Sequence, residues 1–188
     1  MNIPLRTAAL VAGSGLAVMA ALAPIAVFVM LPLDAGVAAL LALVVAGLDV
    51  AVGVALWPIL RSGGDLVALI SVAMRLVYSA VFATAGGSLA RGDEALFHST
   101  WDAGLLIFGA HLVLAGVAMM RSATMPTWIG VLVLIAGLGY AFDTTIAFAA
   151  SDLAIEVGVV TFVGEVALIV WLIGWCGRAR RRSEGDLR

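Results

Sequence analysis

Residues 97–116, FHSTWDAGLLIFGAHLVLAG, pair an oily run with groups that hydrocarbon does not solvate. The apolar stretch is that of a helix able to cross a bilayer, yet it carries His98, Asp102 and His111. Each costs free energy in lipid unless it finds a partner. The rest of the chain decides which half of the segment is the rule and which the exception. Sixty-four per cent of its 188 residues are hydrophobic and 12% are charged, and the mean hydropathy is +1.18. A soluble domain averages about 45–50% apolar and about 25% charged residues, so this chain is of the membrane class. The oily reading governs, and the polar residues inside it need individual explanations.

Working outward from that helix, apolar runs of roughly 20 residues, the length that crosses a bilayer, recur over 7–31, 35–60, 65–90, 96–120, 126–148 and 155–176. The expectation is an all-α integral membrane bundle of six transmembrane helices over residues 1–177, followed by an arginine-rich tail over 178–188. The first run begins after Arg6 and contains an ALA stretch at 21–23 that mimics a signal-peptidase site. Its length is about twice a signal core of 7–15 residues, so it is read as a retained helix, bent at Pro24. The breaks PLD (32–34), RSGGD (61–65), RGDE (91–94), RSATMP (121–126) and AASD (149–152) hold the turn formers. Ser122 or Thr124 is expected to cap the fifth helix, with Pro126 in its first turn. No internal repeat points to an inverted-repeat transporter.

Arginine placement sets the expected orientation. Arg6, Arg61, Arg121, Arg178, Arg180, Arg181, Arg182 and Arg188 fall on one side, and only Arg91 falls on the other, among Asp34, Asp93, Glu94, Asp152 and Glu156. Both termini are therefore expected in the cytoplasm. Trp57, Trp128 and Trp175 lie at cytoplasmic helix ends and Trp101 near the outer end, as an interfacial belt requires. The tail is expected to touch anionic lipid headgroups, and its lack of an aromatic platform argues against nucleic acid.

What is missing also excludes chemistry. There is no lysine, which removes Schiff-base cofactors and a P-loop. A single cysteine, Cys176, removes intramolecular disulfides and cysteine-based metal clusters, and two histidines are too few for a three-histidine zinc site; mixed histidine–carboxylate ligation stays open, although no metal site is expected. His98 and His111 are 13 residues apart on one helix, roughly 20 Å along its axis, so they cannot both ligate one haem iron in a monomer. Single-histidine haem ligation is left as a disfavoured alternative.

Five ionisable residues lie well inside the spans: Asp49, Arg75, His111, Asp143 and Glu165. At a rise of ~1.5 Å per residue, Asp49, Arg75, His111 and Glu165 all sit about 14–17 Å from the cytoplasmic end, near the middle of a ~30 Å core. Asp143 lies nearer the outer leaflet. Helical spacing groups Ser71, Arg75, Tyr78 and Ser79 on the third span, and Trp101, Gly104, Phe108 and His111 on the fourth. It also groups Tyr140, Asp143 and Thr144 on the fifth, and Gly158, Thr161 and Glu165 on the sixth. His98 and Asp102 are expected to pair at the outer rim. One reading is a closed network in which Arg75 pairs with Asp49 or Glu165 and His111 bonds to one of them. However, three carboxylates against one guanidinium give a formal −2 with His111 neutral, or −1 with it protonated. A dry core does not ordinarily keep that imbalance, so a protonated carboxyl, water or a cationic ligand is expected.

The stretches WDAGLLIFGAHLVLAG, MPTWIGVLVLIAGLGYAFD and TFVGEVALIVWL resemble a family of small bacterial multi-pass membrane proteins classed as a domain of unknown function. PLRTAALVAG, LWPILR and SVAMRLVYSA extend the likeness more loosely into the first half. The resemblance implies a compact six-helix protein of the bacterial inner membrane, with Arg75, Trp101, His111, Tyr140, Asp143 and Glu165 on its motif positions. It implies no mechanism.

Three functions follow as expectations. The first is a bundle that binds a small or lipophilic molecule around Arg75, Asp49, Tyr78, Trp101 and Tyr140, with Glu165, Asp143 and His111 as candidate acid/base groups, as in a carrier or sensor. The second is an intramembrane enzyme that uses a buried Glu165 or Asp143 as general acid on a lipid or isoprenoid. The third is an accessory subunit with a purely structural polar core. The oligomeric state is not encoded in any feature of the chain.

Overall fold

The computed structural model describes residues 3–149, 157 and 162–176. Among them are six α-helices and no strand. They are α1 (Leu5–Pro24), α2 (Ala35–Leu60), α3 (Asp65–Leu89), α4 (Glu94–Arg121), α5 (Thr127–Ala149) and α6 (Val163–Gly174). Five spans are long and apolar enough to cross a membrane: Leu5–Met30, Ala35–Gly63, Asp65–Leu89, Glu94–Arg121 and Thr127–Ala149. The sixth, expected from residue 155, is described as a helix only from Val163; Asp152, Glu156, Gly158, Thr161 and the tail from 178 lie outside the described residues.

Local chemistry fixes the ends. Asp34 Oδ1 accepts from Gly36 N (2.9 Å) and Val37 N (3.1 Å) at the start of α2. Asp93 Oδ1 accepts from Leu96 N at the start of α4. Both satisfy amides that a helix N-terminus leaves open. Gly92, at φ +74°, supplies the left-handed turn that ends the preceding segment. Pro24 does not stop the first span. Lacking an N–H to close the α-helical bond, it is followed by a π-helical turn, Ile25–Met30, and Leu31 N reaches Ala26 O, five residues back. Ser122 and Thr124 do not serve the fifth helix as expected. Their hydroxyls are bonded to each other (2.8 Å), and Ser122 Oγ also meets Ser62 Oγ (2.7 Å), tying two loops at one end of the bundle.

The distribution of side-chain size is that of a membrane protein. Alanines fill the seams, with Ala8, Ala9, Ala12, Ala38, Ala68 and Ala85 almost wholly buried. Large apolar groups such as Phe28, Leu33, Leu40, Leu66 and Phe148 face outward. In lipid there is no hydrophobic gain from burying Leu against Leu, so close approach of small residues holds the helices together. The α4–α5 seam shows this at its limit. A Cβ on Gly116 would stand 2.6 Å from Gly130 O, and one on Gly109 2.7 Å from Gly137 O. Two glycine pairs seven residues apart therefore let the two backbones touch.

Each helix packs on the next in the chain, and α6 packs on both α5 and α1, so the six form a closed ring. Arg6 fastens the closure. Its Nη1 donates to Leu172 O (3.1 Å) and Cys176 O (3.0 Å), and its Nη2 to Ile173 O (2.6 Å). A cation thereby caps the carbonyl end of α6.

Candidate functional site

The polar stripe of α3 faces α2 and α4 across the ring. Arg75 Nη2 donates to Asp49 Oδ1 on α2, and the two form a fully buried ion pair. Arg75 Nη1 donates to His111 Nε2 on α4 at 3.1 Å. Arginine has no acceptor, so Nε2 must present its lone pair and the imidazole proton sits on Nδ1. That proton is donated to Ser71 O at 2.8 Å, while Ser71 Oγ donates to His111 O at 3.1 Å. His111 is thus neutral in this arrangement, with both nitrogens engaged and none left for a metal. The guanidinium also lies over the Phe108 ring, 5.4 Å from its centroid. Asp49 Oδ2 and Arg75 Nε are buried without a hydrogen-bond partner among the described residues. Of the two partners open to Arg75, the structure chooses Asp49.

Glu165 is held differently. Its Oε1 accepts from Tyr140 OH at 2.8 Å, a bond between α6 and α5. Among the described residues, no basic side chain comes within ion-pair distance of it. Asp143 Oδ1 accepts from Val157 N at 2.9 Å, fastening the chain beyond α5.

These groups share one cavity of about 710 Å³. Asp49, Arg75, Tyr78, Trp101, Tyr140, Asp143 and Glu165 all line it, and His111 does not: it stands behind Arg75. All six described helices contribute, α1 through apolar groups such as Leu16 and Met19, and the π-helical turn after it adds Val27. An aromatic wall runs from one side to the other. Trp101 Nε1 donates to Tyr78 OH (3.3 Å), Tyr78 packs on Phe108 (centroids 4.8 Å), and Phe108 meets Tyr140 edge-on (5.4 Å). His98 and Asp102 were expected at the rim as an i, i+4 pair. No hydrogen bond joins them among the described residues; His98 packs edge-on against Phe97, and both His98 and Asp102 line the cavity. One turn separates them on a helix face that also carries Trp101 and Leu105, and Asp102 still feels the charge of His98, so the spacing gives an electrostatic neighbour and a shared wall rather than a hydrogen-bonded pair.

The family described as a domain of unknown function (DUF4386) matches residues 85–174, the end of α3 through α6. A protein of Archaeoglobus fulgidus, whose name is "Uncharacterized protein", is 40% identical over 126 residues, covering 67% of this chain and 75% of its own length. No solved structure gives a significant match.

Proposed function

The chain belongs to the family of that archaeal relative, and from that premise we propose that it holds a small or lipophilic molecule inside its helical ring. The observation that supports the reading is the cavity: about 710 Å³, walled by six helices, mostly apolar but carrying an ion pair and further carboxyls. Ligand pockets have this size and this mixture, with a few polar groups that orient an otherwise apolar guest. The polar end of the guest rests against Asp49, Arg75, Tyr78, Trp101 and Tyr140. Glu165 and Asp143 exchange a proton with it or with water, as a carrier or sensor requires. His111 fixes the guanidinium from behind, because both of its nitrogens are already engaged. The arginine distribution supports a cytoplasmic-membrane setting with both termini inside and the tail on anionic headgroups.

Native mass spectrometry of protein released from nanodiscs tests this. Wild-type protein is expected to retain an adduct of reproducible mass, and Ala20→Trp, which fills the cavity from α1, to lose it. No adduct on the wild type, or the same adduct on both, overturns the reading. The burial of Glu165, with no basic side chain at ion-pair distance among the described residues, favours a second possibility, in which Glu165 protonates a lipid or isoprenoid. A chemically altered product in place of a retained guest selects it.

A further inference from the structure

We infer that the occupant of this cavity is a lipophilic organic cation, held between Glu165 and the aromatic wall that runs from Trp101 to Tyr140. The inference rests on the binding reading above and names its ligand class.

The first support is charge. The Asp49–Arg75 pair is neutral as a unit, and its guanidinium is already turned to Asp49 and His111. The other ionisable side chains on the described lining are the carboxyls of Asp102, Asp143 and Glu165, the His98 imidazole and the phenols of Tyr78 and Tyr140. Among the described residues no second arginine lines it, and the chain has no lysine. The wall is net acidic even with His98 protonated. An anionic guest would meet three carboxyls and only the one N–H that Arg75 Nε has left unpartnered, whereas a cation restores balance in a region where unbalanced charge is costly.

The second support is geometry independent of the charge count. Asp49 is fully buried, forms part of the cavity wall, and leaves Oδ2 without a hydrogen-bond partner among the described residues. Its charge is met by Arg75, but this oxygen remains an acceptor in need of a donor. The third support is the lining itself. Trp101, Tyr78, Phe108 and Tyr140 form a continuous series of rings that ends in the hydrogen bond to Glu165. Ring faces attract cations, the more so where water is scarce. A carboxylate at the end of such a series, with an apolar lining on α1, fits a positive centre carrying a hydrophobic body.

Full-length protein in nanodiscs decides it, with tetraphenylphosphonium and its near-isosteric anion tetraphenylborate as probes and protein-free nanodiscs as the background. Saturable binding of the phosphonium is expected, read by equilibrium dialysis and by Trp101-dependent fluorescence, with the borate at least about tenfold weaker. Glu165→Gln is expected to weaken the phosphonium by about tenfold and Glu165→Asp to restore part of the loss. Should Glu165→Gln not fold, the two wild-type affinities still decide. Equal binding of both ions, or stronger binding of the borate, overturns the cation inference and leaves the cavity reading standing. No saturable binding of either ion overturns the cation inference alone if the native adduct persists, and both readings if it does not.

Discussion

Asp49 and Glu165 are carboxyls of one cavity, both buried in a membrane-embedded bundle, and their surroundings differ in kind. Asp49 faces the full positive charge of Arg75, which is itself bonded to His111, which is bonded to Ser71; the chain of contacts clasps α2, α3 and α4. Glu165 has the hydroxyl of Tyr140, a neutral donor that joins α5 to α6. One side of the ring thus has its charges balanced internally and serves to hold the helices in register. The other side keeps an acid that its hydrogen-bond partner does not neutralise, and that is where a ligand has something to add. Substitutions on the two sides should therefore separate stability from binding.

The largest effect is expected at the clasp. Arg75→Met leaves the Asp49 carboxylate buried without its counter-charge, which costs about 3–5 kcal/mol when one partner of a buried pair is removed. Arg75→Met combined with Asp49→Leu should regain much of that, since removing both charges also removes their desolvation penalty. Unfolding of the purified protein in mixed micelles by increasing SDS measures both. A single variant as stable as wild type would show that the pair is not what holds α2 to α3. Next is His111→Ala, which strips the acceptor from Arg75 Nη1 and the donor from Ser71 O. Buried groups left without partners cost about 1–3 kcal/mol, read in the same titration.

How far this division was legible in the sequence follows from what hydrocarbon penalises. Run length alone places the membrane helices, because a polar backbone must be satisfied within its own helix. Burial cost alone selects Asp49, Arg75, His111 and Glu165, which are rare residue types at that depth. Depth along a helix, however, says nothing about which neighbours stand beside it in the ring. Asp49 and Glu165 lie at matching depths, so the partner of Arg75 was undecided until the order of helices was known. His98 and Asp102 keep the partly exposed rim position expected of them and also line the cavity, whereas the same ignorance of azimuth placed His111 in the pocket, although it stands behind Arg75. Arg6 read as a topology signal and proves to cap α6, a contact between residues more than 160 apart in the chain. The seven-residue spacing of Gly109 with Gly116 and Gly130 with Gly137 was visible, but only the structure brings the two pairs face to face.

On the other side of the ring the expected stability effects are smaller. Tyr140→Phe removes the donor to Glu165 and loosens α5 from α6 by about 1 kcal/mol, the ordinary net worth of one hydrogen bond. A loss comparable to that of Arg75→Met would mean that Tyr140 and Glu165 form a second clasp, and the contrast between the two sides would fail.

The smallest stability effect is expected for Glu165→Gln. Glutamine keeps the shape of the side chain and an oxygen that can accept from Tyr140 OH. The variant should unfold within about 1 kcal/mol of wild type in the SDS titration. Binding should move the other way, with the tetraphenylphosphonium affinity falling by about tenfold because the negative charge at the end of the aromatic wall is gone. Arg75→Met breaks the clasp and also changes the cavity wall, so its loss of binding should come together with a loss of fold. Glu165→Gln should lose binding with the fold intact. If the two variants instead lose stability and binding in the same proportion, both carboxyls belong to one structural network, and the cavity is a by-product of packing around it.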